Sequence, residues 1–169
     1  LANLLIDNGP YAVETPLASW RAKVPAAGAY RYQAVRVDTD VVYTNNGYAG
    51  AFRGFGNIQA VAASEMAIDE LAHRLGRDPI AFRLENCLRE GGRTMTGAVI
   101  DHEVGLSQCL QWVRDRSGWD GKRTRYGIEV EGKRSGICRG IGVAAYFHGS
   151  GLGGEGEDFA VSTLKIERD

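Results

Sequence analysis

"GAFRGFG", residues 50–56, separates an extended half of this chain from a helical half. Upstream, residues 31–44 alternate: Val35, Val37, Thr39, Val41 and Tyr43 share one face, while Arg36, Asp38 and Asp40 point the other way. That period of two predicts a strand with one wet face. "TNNGYAG", residues 44–50, is rich in turn formers. Downstream, Asn57 offers an N-cap, and Val61, Ile68, Leu71 and Leu75 recur at helical spacing, with Glu65, Asp69, Glu70 and Arg74 off that stripe. Gly76 is placed to end this helix. The glycine stretch is therefore a strand-to-helix connection. Three readings remain open for it: a phosphate cradle, a wall for a substrate, or only a tight turn with both Phe in the core.

The remaining elements follow from the same rules. Residues 3–7, "NLLID", read as a short strand stopped by Asn8-Gly9-Pro10. "ETPLASWRAKV", residues 14–24, reads as a helix with Pro16 in its first turn and Pro25 beyond its end. Asp78-Pro79 starts another helix with Ile80, Leu84, Cys87 and Leu88 apolar, closed by Gly91-Gly92. A shorter helix covers Leu106 to Arg114, with Leu106, Cys109, Leu110 and Val113 apolar. Residues 115–139 interleave acids and bases and read as a solvated, partly mobile connection. "GIGVAAYFH", residues 140–148, reads as a buried strand. "GSGLGGEG", residues 149–156, reads as a loop and "FAVSTLKI", residues 159–166, as a further strand. Strands and helices do not alternate regularly, so the expectation is an α+β domain with a mixed sheet and several packed helices, spanning residues 1–169.

Bulk properties narrow the function classes. The chain has 169 residues, 44% of them apolar, enough for one buried core. The 20 basic and 21 acidic residues give a net charge of −1, which argues against a nucleic-acid or membrane-surface partner. No apolar run approaches the roughly 18 residues that span a bilayer. The opening "LANLLIDNGPYA" has no Met and no basic leader, and the chain closes as though mid-strand. It reads as a piece of a longer polypeptide. Cys87, Cys109 and Cys138 are far apart and form no C-x-x-C, so they read as reduced, mostly buried thiols of a cytoplasmic protein. His73, His102 and His148 are scattered and form no metal-ligand motif.

Three stretches offer chemistry. The glycine loop is neither G-x-G-x-x-G nor a P-loop. Gly50, Gly54 and Gly56 still let a ligand approach the main chain, successive N–H groups can form an anion nest, Arg53 adds a cation, and Phe52 and Phe55 add flat faces. In "GSGLGGEG" and just beyond, Glu155 and Glu157 are acid–base candidates, though acids in such loops are usually only solvated. Arg21, beside Trp20, is either an anion contact or a surface arginine.

"NNGYAGAFRGFGNIQAVAASEMAIDELAHRLGRDPIAFRLENCLREG", beginning at Asn45, closely resembles the molybdenum hydroxylases, the family of xanthine dehydrogenase and aldehyde oxidase, in their large molybdopterin-binding subunit. "TMTGAVIDHEVGLSQCLQWV" and "GICRGIGVAAYFHGSG" extend the resemblance over nearly the whole chain. The resemblance implies hydroxylation of an electron-poor carbon of an N-heterocycle or an aldehyde, with oxygen drawn from water. It implies molybdopterin, in bacteria commonly its cytosine dinucleotide form, and electron transfer to iron–sulfur and flavin subunits or domains. By position it implies that Ala51, Phe52, Arg53 and Gly54 lie against the cofactor, that Phe55 stacks on the substrate, and that Arg21 contacts it. Val143 falls where purine-oxidising members carry a second Phe, so a purine is not assured. The loop with a Cys that marks carbon monoxide dehydrogenases is not in this chain. The family's catalytic glutamate lies near the C-terminus of the full subunit, so Glu155 and Glu157 are not assigned that role, no metal ligand is assigned, and the piece alone is expected to be inert and cofactor-free. A homo-oligomer is compatible with this reading. The competing class is a non-catalytic binding or scaffold domain of the same fold, which would have no reason to keep "AFRGFG" intact. A nucleotide-binding domain is disfavoured by the missing motifs.

Overall fold

The structure, a computed structural model, describes residues 1–126, 139–149 and 160–167. Strands β1 (Ala2–Asp7) and β2 (Val37–Val42) pair in parallel, with Ala2 opposite Val37 and Asp7 opposite Val42. A parallel pair needs a crossover. It is built from α1 (Thr15–Lys23) and a 3-10 turn, Val24–Ala27. Ala2, Leu4 and Ile6 turn toward α1 and α2, while Leu5 is 75% exposed. The strand expected over residues 31–44 is shorter because its only partner among the described residues, β1, has six residues. Its upstream end is also drawn elsewhere, since the Arg31 N–H donates to the Asn86 carbonyl at 2.8 Å and Tyr30 bridges Cys87.

Helix α2 (Asn57–Arg74) begins one residue earlier than a cap at Asn57 requires. Gly56 is the N-cap, and Asn57 is the first helical residue and buried. The expected apolar stripe does not face the core: Leu71 and Leu75 are 44% and 57% exposed, and the helix buries Ala60, Glu65 and Ala72 instead. Small alanines let neighbouring backbone come close, and Glu65 is neutralised by Arg83 at 2.9 Å. Gly76, at φ +63°, follows the helix end as expected.

Helix α3 (Pro79–Asn86) starts as the sequence dictates, with the Asp78 carboxylate accepting the Ala81 N–H at 2.9 Å and Pro79 in the first position. It ends at Asn86 rather than at Gly91-Gly92, because Cys87 and Leu88 join an extended contact in which the Leu88 N–H donates to the Ala29 carbonyl at 2.9 Å. Helix α4 (Leu106–Ser117) runs a turn longer than expected and stops at Gly118, φ +63°. Cys87 is buried, but Cys109 on α4 is exposed. Helix α5 (Trp119–Tyr126) occupies part of the stretch expected to be a solvated connection. Charge covers it, yet Trp119 is 2% exposed and anchors it in a cluster with Ile80, Leu110 and Ala145. The Trp119 indole N–H donates to the second oxygen of Asp78 at 2.7 Å.

Residues 139–149 form no strand. The chain there alternates, Ile141, Val143, Ala145 and Phe147 inward and their neighbours exposed, without a ladder partner among the described residues. The described part of the last expected strand, residues 160–166, is exposed and unpaired. Cys138, Glu155, Glu157 and Phe159 lie outside the described residues. Helices and a small sheet make this an α+β fold. Among the described residues no helix is long and apolar enough to cross a membrane.

Two outcomes follow from these caps. Burial opposes ionisation of Asp78, but hydrogen bonds from Trp119 and Ala81, the charge of Arg114 and the Ile80 N–H outweigh it and hold the carboxyl below its usual range. A lowered folded pKa supplies stability that is present above the unfolded value of about 3.9 and is lost as pH falls through the folded one. Asp78→Ala is expected to cost about 1–2 kcal/mol near neutral pH, with the gap to wild type closing as thermal melts are moved to about pH 2. A gap constant across that range contradicts the assignment. The second outcome concerns Gly54 and Gly56. A Cβ on Gly56, at φ +86°, would meet the Ala18 carbonyl oxygen of α1 at 2.4 Å. One on Gly54, at φ +99°, would meet the movable Ile58 side chain at 2.6 Å. Gly54→Ala should cost about 1–3 kcal/mol from backbone strain, and Gly56→Ala should lower the melting temperature further. The reverse order contradicts the packing described.

Candidate cofactor site at the glycine loop

Helix α1 and the turn before the glycine loop hold that loop from both sides. The Thr15 hydroxyl donates to the Ala49 carbonyl at 3.3 Å, and the Ala51 N–H donates to Glu14 Oε2 at 3.0 Å. The Asp7 carboxylate at the end of β1 accepts from the Thr44 hydroxyl at 2.6 Å, Asn46 Nδ2 at 2.5 Å and the Gly9 N–H at 2.7 Å. Those bonds, Thr44 first, hold its carboxyl below the usual range. They fix the turn that feeds the loop. Next to it Asn8 is buried, and its side-chain amide has no partner among the described residues.

Inside the loop the Phe55 N–H donates to the Phe52 carbonyl at 2.7 Å and the Asn57 N–H to the Gly54 carbonyl at 2.9 Å. Phe55 sits at φ +51°, a left-handed conformation that costs an aromatic residue energy. Phe52 is 79% exposed, so the reading that puts both Phe in the core does not hold for it. The N–H groups of Phe52, Arg53 and Gly54 have no acceptor among the described residues, and the exposed Arg53 guanidinium has no carboxylate partner among them. Ala51, Phe52 and Gly56 border a cleft of about 500 Å³, closed on its other sides by Leu4 and Ile6 of β1, Ser19 of α1 and Gln59 of α2.

This donor set suits an anionic group. Consecutive free N–H groups beside a guanidinium attract negative charge, and one N–H of the loop, that of Ala51, already takes a carboxylate. Among the described residues no group of three or more His, Cys, Asp and Glu is arranged to hold a metal ion.

The other expected site residues fall elsewhere. The Arg21 guanidinium lies 5.8 Å from the Trp20 ring centre. Arg21, Asn57, Phe147 and His148 line a second, small cavity of about 20 Å³. The loop and Arg21 thus meet through Asn57, and Arg21 does not border the larger cleft. Val143 packs against the cluster of Ile80, Leu110 and Trp119. Sequence reasoning missed Glu14, Asp7 and Asn8. The start of α1 at Thr15-Pro16 was legible, but a reach from Glu14 to Ala51 across 37 residues leaves no periodic signal.

Residues 2–87 match the molybdopterin cofactor-binding domain family. The chain is 42% identical over 111 residues to the nicotinate dehydrogenase large molybdopterin subunit of Eubacterium barkeri, covering 66% of this chain and 26% of that protein. It is 32% identical over 168 residues to a putative xanthine dehydrogenase molybdenum-binding subunit of Escherichia coli, covering 99% of this chain and 22% of that one. The structure superposes on the aldehyde oxidoreductase of Desulfovibrio gigas with a TM-score of 0.66 at 29% identity, over 73% of this chain and 14% of the other. The chain thus spans about a quarter or less of the length of these relatives. With just over half of its residues matched, the glycine loop among them, the chain belongs to the molybdopterin cofactor-binding domain family, that of the molybdenum-binding subunits of xanthine dehydrogenases and aldehyde oxidoreductases.

Proposed function

We propose that the chain forms part of the molybdopterin-binding subunit of a molybdenum hydroxylase that oxidises an N-heterocycle or an aldehyde. One observation carries the reading: three consecutive N–H groups without an acceptor among the described residues, and the Arg53 guanidinium, stand on a loop inside the matched family region, next to a cleft of about 500 Å³. The names of the relatives, nicotinate dehydrogenase and xanthine dehydrogenase on one side and aldehyde oxidoreductase on the other, support both substrate classes. When bound, the cofactor supplies the two-electron oxidising centre. Ala51, Phe52, Arg53 and Gly54 hold it through main-chain donors and one cation, with the exposed Glu14 carboxylate yielding the Ala51 N–H to it.

Phe55 presents an aromatic face to the substrate, and Arg21 a cation to its polar edge. Stacking of a flat ring on Phe55 contributes about 0.5–1.5 kcal/mol beyond area burial. Orientation contributes more, because the target carbon must be held at attack distance. The strained backbone of Phe55 fits this role, since residues held in left-handed conformations cluster at ligand sites. The group that takes up the proton lies in another part of the subunit, so the 169-residue piece alone is inert and holds no cofactor. The cofactor is the cytosine dinucleotide form. Iron–sulfur and flavin subunits or domains take the electrons away, and the enzyme works in the cytoplasm, where thiols such as Cys87 and Cys109 stay reduced.

The test uses the complete subunit. Phe55→Ala is expected to lower kcat/KM by about tenfold to a few hundredfold, with molybdenum content and melting temperature near wild type. Phe55→Gly should lower activity similarly while raising the melting temperature, because glycine accepts φ +51° without strain. Joint loss of stability and metal in Phe55→Ala makes Phe55 a packing residue, and unchanged kinetics removes it from the site.

A further inference from the structure

Glu65 is a buried acid that the reading above leaves without a task. It lies in the middle of α2, and its side chain is 6% exposed. Oε1 accepts the Tyr30 hydroxyl at 2.6 Å. Oε2 accepts Arg83 Nε at 3.0 Å, lies 2.9 Å from Arg83 Nη2, and accepts the Ala145 N–H at 2.7 Å. The opposite side of the guanidinium is used as well, Arg83 Nη1 donating to Asp69 at 2.6 Å and to the Pro79 carbonyl at 3.2 Å. A single carboxylate thus joins the chain at Tyr30, the helices α2 and α3, and residues 139–149.

That last connection has a special weight. Among the described residues, 139–149 have no ladder partner, and the Ala145 N–H is the one main-chain group there that donates to another segment. Packing of Ile141 and Val143 against the Ile80 cluster sets how deep the segment lies. Non-directional packing leaves its register along the surface loose, whereas a short charge-assisted hydrogen bond is directional. Two and three residues beyond Ala145, Phe147 and His148 face Arg21 and Asn57 across the small cavity.

We propose that Glu65 is a positioning residue for the substrate site. Its carboxylate fixes the register of residues 141–148 and so sets Phe147 and His148 as the wall opposite Arg21. This rests on the reading that Arg21 and Phe55 contact substrate.

The experiment uses the complete, cofactor-loaded subunit and two readouts, hydrogen exchange by mass spectrometry and steady-state kinetics. The double variant Glu65→Met with Arg83→Met replaces a buried ion pair by apolar side chains of similar size, an exchange that often leaves stability intact. It removes the acceptor of the Ala145 N–H. Exchange in peptides covering residues 141–148 should rise at least about tenfold, the scale of losing one directional bond, with α2 and α3 peptides unchanged. KM should rise about tenfold with kcat within about threefold, the pattern of lost substrate positioning, and molybdenum content unchanged. Glu65→Gln combined with Arg83→Met keeps an oxygen for Ala145 without stranding a buried charge, and should stay close to wild type in both readouts. If the double variant does not fold, Ala145→Pro removes the donor alone and should reproduce the same changes. Unaltered exchange at 141–148 overturns the proposal, and so do faster exchange with unaltered KM or a Glu65→Gln/Arg83→Met variant as impaired as the double Met variant. A wild-type subunit that turns over neither heterocycle nor aldehyde defeats the functional reading instead, while the exchange measurement still reports on Glu65.

Discussion

A charged carboxylate in the middle of a helix that packs on its neighbours is the constraint on which this fold turns. Glu65 is buried, and an unpaired buried carboxylate costs several kcal/mol. The chain meets that cost by bringing Arg83 of α3, itself fully buried, across to α2. Burial and the adjoining Glu65 raise the Tyr30 phenol above its usual range, so it stays protonated and donates to the same carboxylate. Removing one member of such a set leaves the other charge stranded, at about 3–5 kcal/mol. This pairing brings α2, α3 and the 139–149 segment to one point, beside the apolar cluster of Ile80, Leu110, Trp119 and Ala145.

A second constraint acts at the other end of α2. Gly56 lets the helix start against the Ala18 carbonyl of α1 with no room for a side chain. The left-handed Phe55 directly precedes this close approach. The N–H groups of residues 52–54, without an acceptor among the described residues, are thus held by packed helices on one side and by the Asp7, Glu14 and Thr15 contacts on the other. A site built this way keeps its donors aimed before a ligand arrives, which is what preorganised binding requires.

Much of this was legible in the residues, and the losses have physical causes. The start of α3 was readable because Asp78-Pro79 is a local signal, and so was the Gly76 stop, because positive φ is a glycine property. The glycine loop was readable as a strand-to-helix connection, while its use was not, since a turn and a cradle ask for the same glycines. The buried face of α2 was misjudged because periodicity ranks Leu71 and Leu75 above Ala60 and Ala72, and assumes that Glu65 is wet. Only the distant Arg83 reverses that assumption. Helix α5 was missed because seven of its eight residues are polar or aromatic surface positions or glycine, and its one anchor, Trp119, is bound by Asp78, 41 residues earlier. The extended run at 140–148 had the right alternation without a strand partner among the described residues. Alternation reports two different faces and says nothing of a ladder.

We propose that the main chain of residues 51–54 holds the cofactor in the complete subunit. Anomalous scattering at the molybdenum edge from crystals of the complete subunit measures this directly, because it locates the metal without prior assignment of the pterin. The molybdenum peak is expected beside the loop of Ala51–Gly54, with the Ala51 N–H turned from Glu14 to the cofactor. A peak remote from this chain, with residues 51–54 still facing solvent and Ala51 still bound to Glu14, contradicts it.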